Sequence, residues 1–186
     1  MEVKLSHRVI KVIDYDQNWV ALFESEKTRL AMAIGDNGIK IEHIGSTSVA
    51  GLAAKPIIDI LIEVKKLSGL DSINKEFEAL GYIVKGENGI SGRRFYEKGG
   101  DRRSHHIHAF KHNDFNLLRH RAFKEYLLMH HDVALEYAQI KKEALVHSGN
   151  NINVYVARKS KFIKKHEKLA LQWADKLNFF SNFNDI

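Results

Sequence analysis

The chain of 186 residues has no cysteine and only one proline, Pro56. Without cysteine it can form no disulfide bond, thiolate metal site or cysteine nucleophile. No apolar run is long enough to cross a bilayer. Charged residues also interrupt the N-terminal segment where a secretory signal peptide would have its apolar core. These absences lead us to expect a soluble, cytoplasmic protein with no membrane partner.

Positive charge is in excess, with a formal net charge of +6 at pH 7 and a pI of about 9.4. This balance favours an anionic partner such as a nucleotide or RNA. Much of the excess lies in 158–168, where a solvated helix face is the simpler explanation. The chain also has 11 histidines. Near neutral pH these side chains can bind a metal, transfer protons or contact phosphate.

The spacing of apolar residues predicts an α+β fold rather than a doubly wound sheet, because most strand patterns precede most helix patterns. Strands are predicted at 9–15 (or an extended arm there), 39–44, 57–64, 82–85, 93–98 and 105–110. Helices are predicted at 19–34, 68–80, 114–130, 132–147 and 154–177. The expected N-caps are Asp16, Asp114 and Asp132.

These elements predict a mixed sheet of about four to six strands, in which the last two strands pair as a hairpin. We expect one domain over 1–186. Its α/β core would cover about 9–112, and a helical extension would cover 113–180.

A Gly-Ser-Thr-Ser turn, residues 45–48, separates two strand-like apolar runs. Gly45 allows the backbone to approach a ligand closely. Ser46, Thr47 and Ser48 supply hydroxyls, and the amides after them would open a short helix whose N-terminus favours anions. The alternative is purely structural, since serine and threonine commonly cap helices and glycine commonly forms turns.

The strand predicted at 57–64 carries an acid among apolar neighbours. Alternation places Asp59, Leu61 and Glu63 on one face of this strand. A carboxylate in apolar surroundings is costly unless it is paired, hydrogen-bonded or bound to a metal. Asp59 is therefore a candidate site residue, and the alternative is a structural ion pair with Lys55, Arg93 or Arg94. Glu63 lies near the strand end, where we expect it to be solvated.

Two histidines share one face of the strand predicted at 105–110. His106 and His108 lie on the same side as Phe110, whereas His105 points the opposite way. Together with Asp59 they could hold a single zinc, manganese or similar ion. They could equally transfer protons or donate to phosphate. The structural alternative is that one histidine belongs to the core and the other is exposed.

Several basic residues are candidates for phosphate binding. Arg93 and Arg94 lie on opposite faces of their strand, so one of them can point into the site and grip a phosphate bidentately. Lys55 lies just before the strand that bears Asp59. Tyr155 and Lys159 are four residues apart and share a helix face. Either lysine could instead be an ordinary solvated side chain.

Long segments of the sequence resemble the GrpB family, in the right order, from about Val9 to Ile163. The segments are HIGSTSVAGLAAKPIIDILIEV, HHIHAF, RHRAFKEYL, ALEYAQIKKEAL and YVARKSKFI. This family is a branch of the nucleotidyltransferase-like superfamily. The resemblance implies a nucleotidyltransferase-like sheet with added C-terminal helices.

The resemblance also implies roles for particular residues. Gly45 and Ser46 match the turn that holds nucleotide phosphates, and Asp59 matches the first of two metal-binding acids. The second acid would fall at Leu61, where leucine cannot bind a metal. This departure puts the usual two-metal phosphoryl transfer in doubt, because that chemistry needs several carboxylates. Glu63 cannot replace the missing acid, since it is displaced by a full strand repeat.

The leading hypothesis is a nucleotidyltransferase-like enzyme or nucleotide-binding protein. As an enzyme it would carry out metal-dependent transfer of a nucleoside monophosphate from a nucleoside triphosphate to an acceptor, with a small molecule, RNA and protein all open as acceptors. The catalytic residues would be Asp59 and His108, and a magnesium, manganese or zinc ion would be held by Asp59, His106 and His108. The phosphate contacts would come from Gly45, Ser46, Thr47, Ser48, Lys55, Arg93, Arg94 and Lys159. One alternative is a non-catalytic nucleotide-binding, folding-helper or protein-interaction domain. Another is a metal-dependent hydrolase built on the histidine strand.

Overall fold

A computed structural model describes residues 10–179, and its described strands form one five-stranded sheet. The strands are β1 (Gly38–Ile44), β2 (Ile58–Val64), β3 (Tyr82–Val84), β4 (Arg94–Lys98) and β5 (His105–Lys111). Their order across the sheet is β1-β2-β5-β4-β3. Strands β2 and β5 are parallel, and the other neighbours are antiparallel. The α+β class, the mixed sheet and the β4–β5 pairing are thereby confirmed.

The described α-helices are α1 (Asn18–Ile34), α2 (Leu67–Asp71), α3 (Asn74–Ala79), α4 (Phe115–Met129), α5 (His131–Ser148) and α6 (Ile152–Lys176). Helices α1 to α3 precede β3, and α4 to α6 follow the sheet. The last three pack together around a cluster of apolar side chains to which Val49 and Leu52 also contribute. No helix in residues 10–179 is both long and apolar enough for a membrane span.

The two faces of β2 pack against different helices, as strand alternation predicts. Ile58, Ile60 and Ile62 are buried in a core that includes Trp19 of α1 and Phe77 of α3. Leu61 faces the other way and packs in a separate cluster with Phe110 and with Leu117 of α4. Asp59 shares the face of Leu61, so it lies on the side of the sheet that α4 covers.

The helix predicted at 68–80 is in fact two short helices, α2 and α3. The chain leaves helical geometry at Ile73, with φ of −111° and ψ of 23°. Just before this point, the Ser72 hydroxyl donates to the Gly69 carbonyl over 2.8 Å. Serine commonly competes in this way with helical backbone bonding. Both halves still bury an apolar anchor, Leu70 in α2 and Phe77 in α3.

The predicted N-cap Asp114 is confirmed, whereas the prediction for Asp16 is wrong by one residue, because Gln17 is the N-cap of α1. The Asp16 carboxylate accepts from the Asn18 amide over 2.9 Å, and the Asp114 carboxylate accepts from the Asn116 amide over 2.8 Å. The prediction for Asp132 is wrong, because α5 already begins at His131 and places Asp132 in its first turn. A carboxylate there still complements the helix dipole.

Residues 10–15 of the segment predicted at 9–15 form an extended arm rather than a regular strand. Val9 lies outside the described residues. Of 10–15, Ile13 forms an isolated antiparallel bridge with Ala54.

The prediction that Glu63 is solvated is wrong, because α4 covers the end of β2. Glu63 is 5% exposed and accepts hydrogen bonds from Arg121 and His112. The Arg121 guanidinium also donates to Glu42 of β1, so one cation bridges two carboxylates. Burial acts to raise the pKa of Glu63, but the hydrogen bonds and charges of Arg121 and His112 together outweigh it and the pKa is lowered. Glu63 is therefore a structural ion-pair residue.

Replacing Arg121 with methionine should destabilise the fold by about 3–5 kcal/mol, because it leaves Glu63 buried without its cation. Lys27→Met is the control, since Lys27 pairs with Glu24 on the surface, and it should cost less than about 1 kcal/mol. Urea unfolding at neutral pH measures both.

Because the pKa of Glu63 is lowered in the folded protein, the stabilisation is present above the ordinary value of 4.5 and is lost as pH falls through the lowered pKa. The difference in unfolding free energy between wild type and Arg121→Met should therefore become smaller in acid. Equal losses in the two variants at neutral pH would contradict this account of Glu63.

Candidate functional site

The parallel pairing of β2 with β5 brings Asp59 and the two histidines together. Asp59 lies opposite His106 in the register, and Leu61 lies opposite His108. Asp59 Oδ1 is 3.0 Å from His106 Nδ1 and 3.9 Å from His108 Nε2. The first distance is a hydrogen bond, and one water or ion could bridge the second. The structure therefore brings all three predicted residues into one cluster.

The partners of each ring fix the positions of the protons. An ionised carboxylate only accepts, so His106 donates its Nδ1–H to Asp59. Arginine only donates, so the contact of 3.3 Å from Arg93 Nη1 places the lone pair of His108 on Nδ1. The proton of neutral His108 is then on Nε2, directed toward Asp59. Among the described residues, His106 Nε2 has no hydrogen-bond partner.

This arrangement keeps Asp59 ionised. Burial acts to raise the pKa of Asp59, but the hydrogen bonds and charges of His106 and His108 outweigh it and hold the pKa well below its usual range. Burial lowers the pKa of His108, although Asp59 opposes that shift. Asp59 is therefore a carboxylate at neutral pH, and His106 and His108 hold it in place.

The turn at Gly45 lies directly against Asp59. Gly45 has φ of 71°, and a Cβ built on it would lie 2.5 Å from Asp59 Oδ2. The Thr47 hydroxyl contacts His43 Nε2 over 2.9 Å and donates to the Ile57 carbonyl over 3.3 Å. The Ser48 hydroxyl donates to the Gly45 carbonyl over 2.7 Å. Both of these hydroxyls therefore hold the turn together.

A cavity of about 140 Å³, which we name the lysine cavity, opens on one side of Asp59. Its walls are Ser46, Thr47, Ala54, Lys55, Ile57, Asp59, His106, Lys141, Tyr155 and Lys159. Lys55 Nζ and Lys159 Nζ lie 5.1 and 5.2 Å from the centre of the Tyr155 ring. The predicted pair Tyr155 and Lys159 thus does share a face, and that face lines the cavity.

A larger cavity of about 500 Å³, which we name the aromatic cleft, shares Asp59 and His106 with the lysine cavity. Its other walls include Phe95 from β4, His108 from β5, and His120 and Phe123 from α4. The ring centres of His108 and His120 are 5.1 Å apart. Asp59 therefore lies where a small polar cavity meets a larger and more apolar one.

The two arginines predicted as alternatives have different surroundings. Arg93 is 6% exposed, contacts His108 and lines the aromatic cleft. Arg94 forms two hydrogen bonds of 2.6 and 2.8 Å with Asp71 and lines neither cavity. The structure thus brings Arg93, but not Arg94, to the candidate site.

Sequence reasoning missed Lys141, which lies in α5. This residue is 2% exposed, and it lines the lysine cavity. The signal was present, because Lys141 lies four residues after Tyr137 and three before Ala144, and both of these are buried. A lysine in the middle of an apolar helix stripe is an exception that needs a chemical reason.

The donor groups do not fit the pair of magnesium ions that a nucleotidyltransferase-like site implies. Among residues 10–179, no group of three or more His, Asp or Glu side chains could hold a metal ion. Leu61 occupies the place of the second acid and is completely buried against Phe110 and Leu117. The lone pair of His108 is directed at the Arg93 guanidinium, which disfavours a nearby cation.

Comparison with known proteins identifies the family. A family model described as GrpB protein matches residues 9–169. The chain belongs to the GrpB family. The crystal structure of conserved protein GrpB from Enterococcus faecalis is 43% identical, with a TM-score of 0.84, and the match covers 87% of this chain and 98% of that one.

Two further similarities are more limited. UPF0157 protein YqkA of Bacillus subtilis (strain 168) is 42% identical over 166 residues, which are 89% of this chain. The match covers 48% of YqkA, so this chain spans about half the length of that GrpB relative. Cid1 in complex with the UTP analog UMPNPP matches at 14% identity and a TM-score of 0.42, over 70% of this chain and 44% of that one. That likeness is too weak to bear on the activity of a GrpB protein.

The contact between the turn and the acid can be tested with two glycines. Gly45→Ala should cost about 1–3 kcal/mol more than Gly51→Ala, because its new methyl group must displace the Asp59 carboxylate. Gly51 is a matched control, since its φ is 78° and no atom lies within 4 Å of the place that an alanine methyl group would take. Chemical unfolding gives the energies, and NMR of the His106 ring nitrogens reports the hydrogen bond to Asp59.

We expect the His106 Nδ1 signal to shift in Gly45→Ala only. Equal losses of stability with unchanged histidine spectra would show that the turn does not press on Asp59.

Proposed function

We propose that this GrpB protein binds a nucleoside triphosphate, with the phosphates in the lysine cavity. The observation that carries the proposal is the convergence of Lys55, Lys141 and Lys159 on one small cavity beside the Gly45–Ser46 turn. A polyphosphate supplies negative charge that complements such a cluster. The nucleotidyltransferase-like arrangement of turn and acid is consistent with this ligand class.

Electrostatics supports an anionic ligand over a neutral one. Burial lowers the pKa of Lys159, and Asp59 opposes the shift only in part. Burial and the charge of Lys159 together lower the pKa of Lys141 to about 7. Keeping buried Lys141 and half-buried Lys159 in the charged form therefore costs folding free energy. A bound anion would relieve this cost, because it favours the charged form of each lysine.

Transfer of a nucleoside monophosphate is the second candidate function. The position of ionised Asp59 between the two cavities favours it, because the aromatic cleft is in the size range of small-molecule sites. In such a transfer an acceptor hydroxyl attacks the α-phosphorus, and pyrophosphate leaves. Neutral His108 carries its proton on Nε2, so it could not take the hydroxyl proton through that atom. Whether the acceptor is a small molecule, RNA or protein stays open.

Leu61 favours binding without transfer, since it removes the second carboxylate. With or without transfer, a metal ion could bind to Asp59 and His106 only by replacing the hydrogen bond between these two residues. A metal-dependent hydrolase on the histidine strand remains an alternative that the same experiment addresses.

Nucleotide binding should appear as a rise in melting temperature when ATP, GTP, CTP or UTP is added. Lys159→Met should weaken binding by about tenfold or more, because it removes a charge-assisted contact to phosphate. Lys161→Met is the control, since Lys161 lies on the same helix but outside the lysine cavity. Titration calorimetry gives the affinities.

Metal dependence separates the candidate functions. Nucleotide stabilisation that persists in EDTA supports binding without transfer. Stabilisation that requires both nucleotide and magnesium or manganese, and is lost in Asp59→Asn, supports transfer. Stabilisation by zinc or manganese alone that is lost in His106→Ala supports the hydrolase. No response to any nucleotide, with or without metal, contradicts the proposed function.

A further inference from the structure

Lys141 of α5 is a buried amine, 2% exposed. Its Nζ has no hydrogen-bond partner among residues 10–179. It lies against the face of the Tyr137 ring, whose centre is 4.3 Å from Nζ. Burial of an unpaired charge is unfavourable. Packing alone would be satisfied by a methionine of similar volume, so the amine needs a reason beyond the core.

A second unpartnered donor lies in the same cavity. Tyr155 is completely buried, and its hydroxyl also has no hydrogen-bond partner among the described residues. Lys141 and Tyr155 both line the lysine cavity, together with Lys159. An ammonium group only donates, and a tyrosine hydroxyl readily donates. The partner that both groups lack is therefore an acceptor, and an anionic oxygen satisfies both.

We infer that Lys141 Nζ and the Tyr155 hydroxyl form a recessed subsite for the terminal phosphoryl group of the ligand. This inference rests on the proposed binding of a nucleoside triphosphate, and it adds that Lys141 and Tyr155 bind the terminal phosphoryl group. Lys141 is the most buried of the three lysines, whereas Lys55 and Lys159 are half-buried. The innermost position therefore suits the end of the phosphate chain.

The size of the cavity supports this orientation. A volume of about 140 Å³ holds a phosphate or diphosphate but not a whole nucleoside. The nucleoside must then lie outside the lysine cavity, and the aromatic cleft on the other side of Asp59 offers apolar and aromatic walls. A triphosphate could in this way extend from the cleft past Asp59 to Lys141.

The groups around Lys141 also give the subsite a dependence on pH. It faces Tyr137 on its own helix, Tyr155 and Lys159 from α6, Lys55 from the loop before β2, and Asp59 and His106 from the sheet. Burial and Lys159 lower the pKa of Lys141 to about 7, and burial raises the pKa of Tyr155 to about 12. Tyr155 thus stays a donor, while Lys141 must take up a proton to bind an anion above neutral pH.

The test uses inorganic tripolyphosphate, ATP and AMP in titration calorimetry on the full chain. Wild type should bind tripolyphosphate and ATP but bind AMP about tenfold or more weakly. Lys141→Met should weaken the binding of tripolyphosphate and of ATP by a similar factor of about tenfold. Lys142→Met is the matched control on the neighbouring residue, which is exposed and pairs with Asp14, and it should change either affinity by less than about twofold.

Two further readouts separate recognition from folding. Lys141→Met should melt at the same or a higher temperature than wild type, because it removes a buried amine. Tyr155→Phe keeps the ring and should weaken tripolyphosphate severalfold, so it carries the test if Lys141→Met folds poorly. Affinity for tripolyphosphate should fall from about pH 7 to about pH 9 in wild type, and by much less in Lys141→Met.

The outcomes distinguish the subsite from the proposed function. If wild type binds ATP, and either folded variant retains wild-type affinity for tripolyphosphate, the subsite is wrong and nucleotide binding stands. Equal affinity for AMP and ATP would likewise overturn the subsite alone. If wild type binds neither ATP nor tripolyphosphate, the proposed function fails and the subsite fails with it.

Discussion

The hydrogen bond from His106 to Asp59 across two parallel strands is the interaction on which the candidate site depends. It orients the carboxylate and keeps it ionised in a largely buried place. A Cβ at Gly45 would lie 2.5 Å from Asp59 Oδ2, so only glycine allows the turn to approach the carboxylate this closely. Because β2 and β5 lie next to each other near the middle of the sheet, this geometry is set by the most buried part of the fold.

The late helices complete the site by adding positive charge opposite that carboxylate. Lys141 comes from α5 and Lys159 from α6, and both reach the cavity beside the Gly45 turn. Their burial makes the charged forms less favourable. This cost is a common property of binding sites, where residues are arranged for a ligand rather than for the stability of the empty fold. We therefore attribute the lysines to a phosphate ligand.

Sequence patterns predicted the parts of the site that depend on local periodicity. Strand alternation was enough to place Asp59 with Leu61, and His106 with His108. It could not show that Arg121, 58 residues beyond Glu63, would bury that acid, because periodicity does not identify which helix covers a strand end. Periodicity also could not predict that Arg94 pairs with Asp71, because these residues are 23 positions apart in the sequence. Lys141 could have been found from its position in the apolar stripe of its helix. The boundary near residue 112 between an α/β core and a helical extension stays a prediction, as does the cytoplasmic location.

The most direct test is a crystal structure of the protein grown with a non-hydrolysable nucleoside triphosphate analogue. We predict phosphate density in the lysine cavity, with the terminal phosphoryl oxygens within hydrogen-bonding distance of Lys141 Nζ and the Tyr155 hydroxyl. The nucleoside should lie on the aromatic side of Asp59. Phosphates bound elsewhere, or a lysine cavity that holds only water at saturating analogue, would contradict the proposal.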